Sequence, residues 1–141
     1  MRTSVATCRS ENTIPEIAKI MRDRNVGFLP VQDESGAIIG TVTDRDLVLR
    51  VVAKRCRPED TRAKDILTRE LVYCSPDDTL DVAEDLMAKH RVSRIIVCSD
   101  PRQGPFGVIS LSDIANLEPV EEVARVLREV SWRAPAMARV P

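Results

Sequence analysis

Gly40 to Asp46 reads GTVTDRD and runs on into Leu47 and Val48; at Gly107 to Asp113 the chain returns to the pattern as GVISLSD. Each copy has a glycine, a short apolar or β-branched run ending in Thr or Ser, and an Asp three residues later at the start of a helix-like segment. A strand that turns directly into a helix presents unpaired backbone N–H groups and the positive end of the helix dipole, which suits a phosphate. Thr43 or Ser110 can add a hydroxyl there, and Asp46 or Asp113 can accept two hydrogen bonds from a ribose diol. The same residues also spell Ser/Thr-x-x-Asp, the capping box that starts many ordinary helices, as Thr13-x-x-Glu16 does elsewhere in this chain. The duplication, after a glycine and a strand both times, favours the nucleotide reading.

The repeat extends outward from that junction. Thr13 and Thr79, Met21 and Met87, and Val26 and Val92 all stand 66 residues apart; after one inserted residue, Gly40 and Gly107 and then Asp46 and Asp113 stand 67 apart. An internal duplication explains the spacing. The first unit opens with a strand near Val5 to Thr7, then a helix from Thr13 to Arg24 with Ile14, Ile17, Ala18 and Met21 on one apolar face. Phe28 to Gln32 and Ala37 to Thr43 flank the turn Asp33-Glu34-Ser35-Gly36 and predict a hairpin. A second helix carries Leu47, Val48, Val51 and Val52 and stops before Pro58. The second unit has a helical lead-in at Ala63 to Leu67, a strand at Leu71 to Cys74, a helix from Thr79 to His90, strands at Arg94 to Cys98 and up to Ser110, and a short helix to Asn116. Each unit is strand, helix, strand, strand, helix, too small for a comfortable core of its own, so the two are expected to share one by packing their sheets. The fold class is α+β: repeats at 1–57 and 63–117, a linker at 58–62, and an amphipathic helix with a tail at 118–141.

The 141 residues, 43% hydrophobic and 30% charged, suit one compact domain. A net charge of −1 and four aromatic residues argue against nucleic acid as a partner. No apolar run of membrane-spanning length and no signal-like N-terminus is present, so a cytoplasmic protein is expected, with no membrane partner. Cys8, Cys56, Cys74 and Cys98 form no C-x-x-C pair, and buried reduced thiols are expected. His90, the single histidine, sits at a helix end between Lys89 and Arg91, and no nucleophile and base pair up, so an enzyme is the least supported class.

The segments VATCRSENTIPEIAKIM and VGFLPVQDESGAIIGTVTDRDLV, with their echoes LVYCSPDDTLDVAEDLM, VSRIIV and GVISLSDIA, resemble a tandem of cystathionine-β-synthase (CBS) domains over Arg2 to Leu117. The resemblance implies a pseudo-twofold module with two clefts, adenosine ligands such as AMP, ADP, ATP or S-adenosylmethionine, no required cofactor, and assembly as a homodimer. Carried over residue by residue, Asp46 and Asp113 would hold ribose, with Thr43 and Ser110 beside phosphate. Arg94 matches a basic position that meets phosphate in some members and is open to either cleft, whereas its counterpart Phe28 cannot play that part. Arg45 offers a second cation beside Asp46 and tips the expectation toward that site. The resemblance puts adenine near Thr7, Cys8, Leu29 and Pro30, or near Tyr73, Cys74, Ile95 and Ile96. Its N-terminal departure is the missing lead-in before the first strand, an edge the tail is a candidate to cover. The stripe Val120, Val123, Ala124, Leu127 and Val130 fits closure of the chain's own core or a dimer or client contact. The leading functional class is a regulatory nucleotide-sensing module acting on an unidentified client protein; the runner-up is a ligand-free dimeric scaffold.

Overall fold

Two three-stranded sheets and six helices make up the computed structural model, which describes residues 4–132. The sequence suggests a loosely ordered end at Trp132 and Pro135 to Pro141; Trp132 instead packs its ring under the Arg91 guanidinium, and Pro135 to Pro141 lie outside the described residues. The first unit runs β1 (Cys8–Arg9), α1 (Ile14–Arg24), β2 (Phe28–Gln32), β3 (Ile38–Thr43) and α2 (Asp44–Leu47), which continues through a π-helical turn at Val48–Val52. After α3 (Ala63–Ile66), the second runs β4 (Tyr73–Cys74), α4 (Leu80–His90), β5 (Arg94–Val97), β6 (Gly107–Ser110) and α5 (Leu111–Leu117), and α6 (Val120–Ser131) closes the chain. In each sheet the first strand pairs parallel with the second, and the second antiparallel with the third. The expected α+β architecture with two repeats is therefore present.

Local chemistry sets the boundaries. Thr13 and Thr79 precede α1 and α4 in extended conformation, and Glu16 reaches back to accept the Thr13 N–H at 2.9 Å. Asn25 and Arg91 end the same two helices in the left-handed region, at φ 51° and 54°. Gly40 has no room for a side chain, because a Cβ there would lie 2.6 Å from both the Leu67 side chain and the Thr68 carbonyl. Thr41 and Thr68 exchange two backbone hydrogen bonds of 2.9 Å across that close approach.

Packing differs from the single shared core the sequence suggests. Ile17, Met21, Leu29, Val31, Val42 and Val51 form a core in the first repeat, and Ala63, Ile66 and Leu67 complete it. Ala83, Met87, Ile95, Val97 and Ile114 form another in the second repeat, completed by Val126 of α6. Among the described residues a small cluster, Ile38, Ile96 and Cys98 with Phe28 and Leu71, joins the sheets. The segment that leads into the second repeat in sequence order is thus packed on the first. The tail helix does not cover the first repeat's edge; it lies on α4 and α5. Its buried residue is Val126, absent from the stripe read from sequence, while Val120 and Leu127 of that stripe are exposed. Ala18 on α1 and Val48 and Val52 on the π turn are exposed as well, because among the described residues no element covers those faces, and Val51 is the buried residue of the wider turn.

Cys8, Cys74 and Cys98 are buried, and burial pushes the Cys8 thiol up to about 12. Cys56 departs from expectation and is exposed. No helix among the described residues is long and apolar enough to cross a membrane.

Candidate functional site

Both strand-to-helix junctions close as capping boxes. The Thr43 N–H and hydroxyl donate to Asp46 Oδ2 at 2.8 and 3.0 Å, and the Asp46 N–H donates to Thr43 Oγ1 at 3.2 Å. Ser110 and Asp113 repeat the set at 2.8, 2.9 and 3.4 Å. Asp46 Oδ1 also faces Arg50 Nε at 3.5 Å. Burial acts to raise the Asp113 carboxyl, the Ser110 N–H and hydroxyl act to lower it, and it stands below the ordinary value. The helix-starting role of these residues is therefore real. It does not close the space beside them.

Two clefts open where the repeats meet, of about 450 and 300 Å³. Ser110 and Asp113 line the larger together with Ala6, Val26, Gly27 and Phe28 of the first repeat. Thr43 and Asp46 line the smaller together with Val72, Val92, Ser93 and Arg94 of the second. Those two quartets are counterparts, each pair 66 residues apart. Each cleft thus joins the hydroxyl–carboxylate junction of one repeat to the β2 or β5 entry of the other, so the crossing occurs twice.

Arg94 lines both clefts, and so does Phe28. Arg45 is exposed and is not among the lining residues of either. Neither is any of the residues expected to flank adenine. Leu29, Pro30, Ile95 and Ile96 are buried within the sheets, Cys8 and Cys74 belong to the cores, and Thr7 and Tyr73 lie one residue beyond Ala6 and Val72. A step of one residue along an extended chain exchanges its faces, so Thr7 and Tyr73 are turned away from the clefts that Ala6 and Val72 line.

Sequence reasoning passed over Arg24 and Asn25 in the larger cleft and Glu70, His90 and Arg91 in the smaller. A signal was present: both copies place basic residues at the end of the long helix, RDRNVGF and AKHRVSR, immediately before the cleft-lining Val. His90 Nδ1 lies 3.3 Å from Glu70 Oε1, which bridges the rim of the smaller cleft. Among the described residues no group of three or more His, Cys, Asp or Glu is placed to hold a metal ion.

The CBS domain family matches this chain at residues 1–53 and 63–119. The chain belongs to the CBS domain family. The CBS domain-containing protein YhcV of Bacillus subtilis (strain 168) is 36% identical over 115 residues, 82% of this chain and 79% of YhcV. The crystal structure of the CBS domain pair of protein MJ0100, in complex with 5′-methylthioadenosine and S-adenosyl-L-methionine, superposes with a TM-score of 0.73 at 27% identity. That match covers 83% of this chain and 90% of the other. The CBS domain protein TA0289 from Thermoplasma acidophilum, at 18% identity and a TM-score of 0.79 over 92% of this chain and 72% of its own, shares the fold.

Proposed function

We propose that this CBS pair is a regulatory module that binds an adenine nucleotide or related adenosyl ligand between its repeats and acts on a separate protein. The observation that carries the reading is the doubled crossing: two open clefts, each with a hydroxyl, a carboxylate and the shared Arg94. The adenosyl ligands of the MJ0100 pair support the ligand class. Binding regulates only if the ligand favours one arrangement of the repeats, and a ligand wedged between them has that leverage. A homodimer remains the expected assembly.

The larger cleft is the better nucleotide site. Its 450 Å³ lies within the usual range for ligand pockets. Val5, Ala6, Val26, Val108 and the Phe28 ring supply an apolar slot for a base, Asp113 an acceptor for the ribose, and Arg24 and Arg94 two cations for phosphate. The smaller cleft adds the carboxylate of Glu70 to that of Asp46. With Arg45 outside both linings, the sequence-based preference for the Asp46 site gives way to the Asp113 site.

Calorimetric titration with AMP, ADP, ATP and S-adenosylmethionine tests the reading, with Asp113→Asn and Asp46→Asn variants to assign the cleft. A true ligand at a hundred times its dissociation constant raises stability by about 2.7 kcal/mol. Asp113→Asn is expected to weaken AMP more than Asp46→Asn. Absence of both heat and thermal shift at millimolar ligand would leave the second reading, a ligand-free scaffold, which the caps favour because each Asp already spends one oxygen on its own helix.

A further inference from the structure

The smaller cleft and the C-terminal helix meet at one side chain. Arg91 ends α4 in the left-handed conformation, where its N–H donates to the Ala88 carbonyl at 3.3 Å and the Val92 N–H donates to Met87 at 3.1 Å. It lines the smaller cleft, and its guanidinium lies over the Trp132 ring, 4.1 Å from the centroid. Trp132 directly follows α6, and Val123, Val126 and Val130 hold α6 along the second core, which brings the ends of α4 and α6 together.

The stack is not a core contact. Trp132 is the only tryptophan of the chain and is half exposed, so its ring contributes little to burial. Other charges at that rim have polar partners: His90 faces Glu70 at 3.3 Å, and Arg94 donates to Ser93 Oγ at 3.4 Å. Arg91 has no carboxylate within ion-pair distance among the described residues. A cation held only by an aromatic face remains open to an anion, because an exposed cation–π contact is weak beside a desolvated charge pair.

We infer that Arg91 is shared between the Trp132 ring and an anionic group in the smaller cleft, so that filling this cleft frees the C-terminal end of α6. The inference rests on the clefts binding an anionic adenosyl ligand and adds the route by which occupancy leaves the site. The two partners compete for one guanidinium, so the coupling is reciprocal: whatever releases Trp132 tightens the anion, and the anion releases Trp132.

Titration of the full chain with AMP, followed by the emission of its single tryptophan and in parallel by calorimetry, tests this, with adenosine as the phosphate-free probe. AMP is expected to change Trp132 emission and adenosine to leave it unchanged. Trp132→Ala is expected to tighten AMP at the smaller cleft about two- to fivefold, the range an exposed cation–π contact spans, with Trp132→Phe in between. The emission change should persist in Asp113→Asn and vanish in Asp46→Asn and Arg91→Ala. AMP that binds by calorimetry while emission and the Trp132→Ala affinity stay unchanged overturns the inference and leaves the nucleotide reading intact; so does an emission change lost in Asp113→Asn. No heat of binding in the wild type overturns both.

Discussion

Helices α1 and α4 begin after a threonine, end on a left-handed residue, and carry a buried methionine at the same offset, Met21 and Met87. One turn earlier they part: Ala18 of α1 is exposed, whereas its counterpart Glu84 on α4 is 2% exposed beneath α6. A duplicated sequence thus reproduces caps, registers and inward-facing apolar residues, while the fate of each outer face depends on which later segment lies on it. The first repeat recruits α3 to finish its core, and the second recruits α6, which brings a carboxyl inside.

The largest effects test whether the cores are separate. Met21→Ala and Met87→Ala are each expected to cost about 2–5 kcal/mol in urea unfolding. With the two residues in different clusters, the double variant should equal the sum within about 0.5 kcal/mol; a larger coupling would mean one shared core.

Glu84 sharpens the contrast through pH. Burial foremost, then the charge of Glu118 and a hydrogen bond with Glu122, push its carboxyl up from 4.5 to about 7, and its Oε1 has no hydrogen-bond partner. Glu122, bonded to Arg125, is held below its ordinary value, which leaves the shared proton on Glu84. A carboxyl raised in the folded state binds its proton more tightly there. Stability is therefore fullest below about pH 4.5, falls as pH rises through about 7, and is level above, a loss from this group of roughly 3 kcal/mol. Glu84→Gln should flatten that part of a stability–pH profile measured by thermal unfolding, and Ala18→Gln in the first repeat should leave it unchanged.

Position 28 against position 94 gives a binding contrast of comparable or smaller size. On the proposed reading Arg94 would meet phosphate by charge-assisted hydrogen bonds, and Arg94→Ala is expected to weaken AMP by about ten- to a hundredfold in calorimetry. Adenosine should lose much less. The smallest effect concerns the two caps: Thr43→Ala and Ser110→Ala should each cost about 1 kcal/mol by urea unfolding. Equal costs would confirm that the junctions are structurally equivalent, and a clear inequality would show that Arg50 beside Asp46 changes the first.

Much of the fold was legible because local patterns drove it. Thr13 and Thr79 mark helix starts, Pro58 follows the end of a helix, and Gly40 with Gly107 brackets the repeated junction; each acts over a few residues. Of the residues singled out from sequence, Thr43 and Asp46 line one cleft, Ser110 and Asp113 the other, and Arg94 both. Thr7 and Tyr73 fall outside the cleft linings because each stands one residue past a lining position, on the other face of extended chain, and Leu29 and Ile95 because packing buries them in the cores.

Sequence alone determined the duplication, the order of elements, and the hydroxyl–carboxylate pair at each strand-to-helix turn, since caps, turns and periodicity are set within a few residues of themselves. Only the tertiary structure decided that each pair faces the opposite repeat, that α3 and α6 complete different cores, and that Glu84 is enclosed while Ala18 is open. Those outcomes depend on which distant surfaces exclude water from one another, and no short stretch of the chain carries that information.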